Sequence, residues 1–188
     1  MFKHSFKKND NYLAFSIKPK TIYSLSAKEV DFSILMKQFN RQLGSFPGVI
    51  TKNETFIDYL TVRENMLLVL SLASNQMKRS LDLVVNEVLE ELDIPDSLAD
   101  QPFKALPLNL SLQLQLRLNE LCNKKVILVE DCFSFETASS KQDWLLSLRY
   151  YARTKDFSFI LVTSDNQLLA SEKPFDLNPI ASSSRKVS

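Results

Sequence analysis

Residues 124–132 read KKVILVEDC, and this stretch decides the fold. Four apolar residues, VILV at 126–129, run without a polar break and end at two carboxylates, Glu130 and Asp131. A short apolar run between charged residues is typical of a strand buried on both faces of a parallel sheet. FSFILVT at 157–163 is a second such run. Because parallel strands are joined by crossover helices, the pair predicts an α/β core.

Periodicity in the surrounding segments predicts the remaining elements. YLAFSIK at 12–18 alternates in polarity as a half-buried strand does, and TIYSLS at 21–26 follows it after Pro19. Apolar residues recur at helical spacing in about 29–43, 61–75, 77–93 and 138–153, where we expect helices. The segment GSFPG at 44–48 ends the first helix, and GVIT at 48–51 then forms a short strand. The helix after residue 61 begins with a capping box, Thr61-Val62-Arg63-Glu64.

Leucine occupies every even position from 106 to 118. This alternation favours a strand, whereas leucine, glutamine and arginine are helix formers, and residues 110, 114, 118 and 121 form a helical stripe. We expect a helix from about residue 110, with its leucines in the core rather than in a groove for a partner.

Composition excludes several classes of function. The 188 residues carry 23 Lys and Arg against 22 Asp and Glu, so a net charge of +1 gives no field that would attract nucleic acid. His4 is the only histidine and the cysteines are Cys122 and Cys132, so we expect neither a metal site nor a histidine-activated nucleophile. The apolar run at 66–73 is far shorter than the roughly 20 residues of a membrane-spanning helix. We expect a cytoplasmic protein without direct membrane insertion, with one domain over 1–173 and a flexible tail over 174–188.

Several stretches together resemble the nucleotide-binding domain of ABC transporters, over about residues 11–165. LTVREN at 60–65 is similar to the phrase that opens the family's helical subdomain, and residues 92–121 to the run through its signature motif and helix. LCNKKVILVED resembles the Walker B strand, and FILVTSD the strand that ends in the switch histidine. The resemblance implies a P-loop NTPase-like, mostly parallel sheet core over 11–60 and 122–170. A helical subdomain is inserted at about 61–121, and the domain is truncated at both ends.

The family's chemistry is not preserved in these stretches. A phosphate loop needs glycines, a lysine and a Ser or Thr, but SLSAKEVDFSILMKQF at 24–39 contains no glycine. An ungapped alignment puts Phe32 at the lysine position, and brings the negative charges of Glu29 and Asp31 towards the phosphates. At the Walker B position the order of carboxylates is inverted, with Glu130 for the metal-binding aspartate and Asp131 for the general-base glutamate. Further positions also depart from the family's pattern: Lys52 in the Q-loop, Thr137 in the D-loop and Ser164 at the switch.

By this resemblance we expect a catalytically inactive subunit, a pseudo-ATPase without a cofactor, that binds a membrane permease. Similar domains dock a permease helix in the cleft between core and helical subdomain. The corresponding surface here comprises Lys52, Phe56, Ile57, Tyr59 and Leu60. The partners would be an integral membrane permease, and an intact ABC ATPase or a second copy of this chain, at the inner face of the cell membrane. The alternatives are a soluble pseudo-ATPase adaptor unrelated to transport, and an enzyme completed by a partner's phosphate loop.

Overall fold

The computed structural model describes residues 13–14, 17–29, 31–52, 56–73, 80–130 and 137–179. The strands within these ranges are β1 (Leu13–Ala14), β2 (Ile22–Ser26), β3 (Gly48–Ile50), β4 (Val126–Glu130), β5 (Ser158–Thr163), β6 (Lys173–Pro174) and β7 (Asn178–Pro179). The α-helices are α1 (Phe32–Leu43), α2 (Val62–Ala73), α3 (Leu81–Glu91), α4 (Asp96–Ala99), α5 (Leu108–Leu121), α6 (Ala138–Lys155) and α7 (Asn166–Ser171). A one-turn 3₁₀ helix, Phe103–Ala105, precedes α5.

The main sheet has five strands in the order β3-β4-β5-β2-β6, and every neighbouring pair is parallel. The two apolar runs seen in the sequence, β4 and β5, are central neighbours, with Ile127 beside Phe159 and Val129 beside Leu161. A separate antiparallel pair joins β1 to β7. The predicted fold class, an α/β protein with a parallel sheet, is therefore confirmed.

Side chains on β4 and β5 alternate between two hydrophobic clusters, which explains why both strands are apolar throughout. Val129 and Leu161 belong to a cluster with α5 and α6, whereas Leu128 and Ile160 belong to a cluster with α1. On the α1 side, Phe39 is buried and stacks near Phe175 at 5.9 Å between ring centroids. Both faces of the sheet are therefore covered by helices.

Helices α2, α3 and α4 form a third cluster with one face of α5, and this is the helical subdomain. Its first helix begins at the predicted capping box. The N–H of Thr61 donates to the carboxylate of Glu64 at 2.8 Å, and the N–H of Glu64 donates to the Thr61 hydroxyl at 3.1 Å. Arg63 joins three parts of the subdomain, because it bonds Asn86 of α3 and both Asp96 and Asp100 at the ends of α4.

The leucine ladder is a helix, as predicted, and its leucines serve two cores. Leu112 and Leu116 pack in the cluster of the sheet, whereas Leu114 and Leu118 pack in the cluster of the helical subdomain. On a helix, residues four apart share a face and residues two apart do not. Alternation of period 2 therefore gives two apolar stripes, and α5 is sandwiched between the sheet and the subdomain.

Two predicted boundaries were wrong. Helix α1 begins at Phe32 rather than near residue 29, because Asp31 caps it. The flexible tail predicted from residue 174 does not begin there. Pro174 pairs with Ser24 in the sheet, and Phe175 is 5% exposed with its ring 5.3 Å from that of Tyr23. Of the strand predicted over 12–18, Leu13–Ala14 is observed and pairs with β7, whereas residues 12, 15 and 16 lie outside the described residues.

Candidate functional site

The strands of the main sheet end together at one edge, where the first helix also begins. Ser26, the last residue of β2, pairs with Thr163, the last residue of β5, and Glu130 at the end of β4 pairs with Val162. In open α/β sheets, ligands bind outside this carboxyl edge, so the side chains around it are the first candidates for a site.

The turn between β2 and α1 uses its own backbone amides. The N–H of Ala27 donates to the carbonyl of Thr163, and that of Glu29 donates to the carbonyl of Ser26, both at 3.0 Å. The N–H of Lys28 donates to the Ser26 hydroxyl at 3.3 Å. These three donors are therefore engaged within the protein.

Asp31 occupies the N-terminus of α1. Its Oδ1 accepts hydrogen bonds from the N–H of Ser33 at 2.7 Å and the N–H of Ile34 at 3.2 Å. The Ser33 hydroxyl donates to the same oxygen, and this bond, with the two backbone bonds, lowers the pKa of Asp31 below its ordinary value. Phe32, at the lysine position of the resemblance, is half-buried and packs against the core cluster of α1. The helix end carries an ionised carboxylate at neutral pH.

Glu130 and Thr51 are joined across the edge of the sheet. The Thr51 hydroxyl donates to the carboxylate of Glu130. Gln115, buried on α5, brackets the backbone of Thr51: its Oε1 accepts from the Thr51 N–H at 3.0 Å, and its Nε2 donates to the Thr51 carbonyl at 2.8 Å. Asp131, the second predicted carboxylate, lies outside the described residues. Glu130 is thus part of the attachment between β3, β4 and α5.

Asn119 extends this attachment by one helical turn. Its Nδ2 donates to the carbonyl of Val49 at 2.9 Å, so side-chain amides of α5 occupy the outer edge of β3. A Cβ on Gly48 would lie 2.4 Å from Oδ1 of Asn119, so any larger residue there would force the Asn119 side chain to shift.

Ser164, at the switch position of the resemblance, is exposed directly after β5. The next residue, Asp165, caps α7 through the N–H groups of Gln167 and Leu168 and pairs with Lys141 of α6 at 2.5 Å. The hydrogen bond from Lys141 is the main reason that the pKa of Asp165 is lowered. A cavity of about 320 Å³ lies here between α6 and α7. Of the charged residues in its walls, Lys141 and Asp165 pair with each other, and Arg149 pairs with Glu172.

The loop before α2 contains four of the predicted docking residues and is held by the buried side chain of Asn65. The Asn65 Oδ1 accepts from the N–H of Ile57 at 2.8 Å. Its Nδ2 lies within 3.0–3.2 Å of the carbonyls of Ile57, Leu60 and Thr61. A single buried side chain therefore fixes the backbone of residues 57–61.

The predicted docking residues differ in their exposure to solvent. Tyr59 is 83% exposed, and Lys52 is also exposed. Ile57 and Leu60 are half-buried. Phe56 stacks on Phe103 with 3.8 Å between ring centroids, so much of its ring serves the helical subdomain. Tyr59 is the most exposed of the four predicted docking residues in this loop.

A cleft of about 160 Å³ lies between the helical subdomain and the sheet, beside this loop. Phe56 and Val69 contribute from the subdomain and Val49 from β3. The floor is formed by α5 and the residues that follow it: Gln115, Leu118, Asn119, Cys122 and Lys124. The amides of Gln115 and Asn119 are bonded to the backbone of Thr51 and Val49, and the surface of the cleft is mainly apolar.

Sequence reasoning missed the two residues that organise this region, Asn65 and Gln115. A polar residue four positions after the capping threonine, on an otherwise apolar helix face, was the available signal for Asn65. No sequence signal marked Gln115, because it alternates with leucine in the same way as the exposed Gln113.

No protein-family model matches the chain, and no curated protein sequence does either. Solved structures are similar in fold. An ABC transporter described as being of the metal-chelate type, in an inward-facing conformation, aligns with a TM-score of 0.60 and 14% identity over 94% of this chain and 79% of that chain. A dimeric bacterial ABC transporter cassette aligns with a TM-score of 0.57 and 14% identity, over 82% of this chain and 79% of that chain.

CbiO1 from Clostridium perfringens, part of the ABC transporter complex cbiONQ, aligns with a TM-score of 0.59 and 15% identity over 79% of this chain and 69% of that chain. Among the helices of the described ranges, none is long and apolar enough to cross a membrane. The described chain therefore has the fold of an ABC transporter ATP-binding cassette, a P-loop NTPase-like parallel sheet with a helical subdomain.

Proposed function

We propose that this chain is a non-catalytic ABC-type cassette subunit that acts by docking onto a membrane permease. The observation that carries the proposal is the N-terminus of α1, where Asp31 accepts the helix amides that a phosphate group would otherwise receive.

The residues between β2 and α1 do not fit a nucleotide phosphate or its Mg²⁺. A phosphate site directs free backbone N–H groups and a lysine at the anion. Here Ala27, Lys28 and Glu29 use their N–H groups internally, and the ionised Asp31 would repel the anion. Phe32 supplies no charge in place of the lysine. The proposal therefore assigns no cofactor and no catalytic role to Glu130, Asp131 or Ser164.

The loop held by Asn65 supports the docking part of the proposal. Because the Asn65 amide already bonds the backbone at Ile57, Leu60 and Thr61, little conformational freedom is lost when a partner binds. The loop displays Tyr59, and tyrosine is enriched among residues that dominate interface energy. The mainly apolar cleft lies beside it and would receive the apolar face of a partner helix.

The partner is proposed to be an integral membrane permease, which would place the chain peripherally at the inner face of the cell membrane. CbiO1, one of the similar structures, is part of a transporter complex, and another was solved as a dimer. By analogy, an intact ABC ATPase or a second copy of this chain would complete the assembly. The near-zero net charge gives no support to a nucleic-acid partner.

The test is affinity purification of the tagged chain from gently solubilised membranes of its own source cells, followed by mass spectrometry. The proposal predicts a stoichiometric multi-spanning permease, with or without an intact ATPase. Tyr59→Ala should reduce its recovery, because the phenol is 83% exposed and belongs to the docking loop. Tyr150→Ala is the matched control, since Tyr150 is 63% exposed on α6. Recovery of soluble partners alone would replace the proposal by the adaptor alternative.

A further inference from the structure

The helical subdomain and the sheet have separate hydrophobic cores that meet at α5. Leu114 and Leu118 lie in one core, and Leu112 and Leu116 in the other. Apolar contacts have no preferred direction, so two cores that share one helix can shift against each other. A directional connection across the boundary would restrict such a shift.

Four charged residues make this connection. Arg117 Nε donates to Glu91 at 2.9 Å, and its Nη1 donates to Glu120 at 2.7 Å. The ammonium of Lys155 lies 2.7 Å from the other carboxylate oxygen of Glu120. Glu91 ends α3 of the subdomain, Arg117 and Glu120 lie on α5, and Lys155 ends α6. The chain of ion pairs therefore runs from one core to the other.

The central carboxylate is well suited to hold this connection. The side chain of Glu120 is 19% exposed. Burial alone would raise the pKa of Glu120, but the hydrogen bond from Lys155 and the charge and hydrogen bond of Arg117 outweigh burial and lower it. Glu120 in turn raises the pKa of Lys155 through their hydrogen bond and its charge. Both groups are therefore ionised at neutral pH, and each charge stabilises the ionised form of the other.

We propose that Glu91, Arg117, Glu120 and Lys155 form an ionic latch, on the face of α5 away from the cleft, that holds the helical subdomain against the sheet and limits their relative movement. All four residues belong to this chain, so the test of the latch does not depend on whether the chain docks onto a permease.

Cys122 provides the readout, because it is half-buried and lines the cleft one residue after α5. Burial raises the pKa of its thiol, so the thiol reacts slowly in the closed state. The experiment measures the rate of its modification by N-ethylmaleimide in a Cys132→Ser background. Arg117→Met and Lys155→Met should each accelerate modification by about two- to fivefold, the range expected for partly exposed ion pairs.

The direction of the effect separates opening from electrostatics. Removing a positive charge can only raise the pKa of a thiol and slow its reaction, so acceleration reports exposure. Arg63→Met is the matched control, because Arg63 is 26% exposed against 24% for Arg117 and also pairs with two carboxylates. All its partners lie within the helical subdomain, so its loss should leave the rate unchanged.

Lys155→Met decides the outcome if Arg117→Met fails to fold, because Lys155 lies at the exposed end of α6. Unchanged modification in folded Lys155→Met protein would overturn the proposal. So would an equal acceleration in Arg63→Met, which would indicate a general loss of stability. Slower modification of the wild-type chain as salt is raised from about 0.1 M to 1 M would also contradict it, because salt screens ion pairs.

Discussion

Asp31 accepts hydrogen bonds from both the backbone N–H and the hydroxyl of Ser33, at 2.7 and 2.6 Å, with one carboxylate oxygen. This relationship closes the helix terminus at which a P-loop protein would hold phosphate. The carboxylate stabilises α1 as an N-cap and as a negative charge at the positive end of the helix dipole. The same residue therefore stabilises α1 and, in the proposed function, would repel a phosphate group.

Asp31→Ala is expected to lower the Tm, because two N–H groups at the start of α1 lose their acceptor. Asp31→Asn should retain much of the stability, since its amide oxygen can accept the same bonds. Thermal unfolding followed by circular dichroism measures both, with Glu29→Ala as the control for a lost exposed carboxylate nearby. Equal Tm values for Asp31→Ala and Glu29→Ala would contradict the capping role.

Gln115→Leu is expected to destabilise the chain by about 2–4 kcal/mol, because it leaves the N–H and carbonyl of the buried Thr51 without their partner. Urea denaturation measures the loss. Gln113→Leu, on the exposed face of the same helix, should change the free energy of unfolding by less than about 0.5 kcal/mol. If both variants lose the same stability, the bracket around Thr51 contributes nothing specific.

Asn65→Ala is expected to cost about 2–4 kcal/mol of stability and to speed hydrogen exchange at the Ile57 amide, whose acceptor it removes. Asn109→Ala, at an exposed position of α5, is the control. Native-state exchange measured by NMR gives the local effect and urea denaturation the global effect. An Ile57 amide as protected in Asn65→Ala as in the wild type would show that the loop is held by other contacts.

The stability that Glu120 contributes should depend on pH in the acidic range. Its folded-state pKa is lowered from 4.5, so the contribution is fully present above about 4.5 and is lost as the pH falls through the lower folded-state value. The groups that face Glu120 are Arg117, Lys155 and Tyr151, and Glu91 lies beyond Arg117. Comparing wild type with Glu120→Gln by urea denaturation should show a difference at pH 7 that closes in acid. A difference that grows as the pH falls would refute the latch charges assigned here.

The sequence was sufficient for the features that depend on local pattern. Continuous apolar runs predicted β4 and β5 as buried strands of a parallel sheet, and the Thr61–Glu64 spacing predicted a capping box that forms both of its bonds. For α5 the pattern was ambiguous. A period of 2 arises in a strand with one buried face, and also in a helix buried on two faces.

Features that depend on tertiary contact could not be read from the chain. The register of α5 against β3 decides that Gln115 meets Thr51 while Gln113 meets solvent, and nothing local distinguishes the two. The sequence likewise gives no sign that Arg117 and Lys155 pair with Glu120, because the packing of α6 against α5 brings Lys155 to it. Between β2 and α1 the sequence shows the residue types, but only the structure places the carboxylate of Asp31 on the N–H groups at the start of the helix.

Titration of Mg-ATP into the purified chain, followed by isothermal calorimetry, tests the central claim most directly. We expect no saturable binding up to about 1 mM. A Kd of about 1 mM would correspond to a binding free energy of about −4 kcal/mol. The N-terminus of α1 is closed by Asp31, and Phe32 offers no charge. Saturable binding below that concentration, weakened by a substitution at Glu130, would contradict the proposed function. It would indicate that the chain binds nucleotide at the carboxyl end of its sheet.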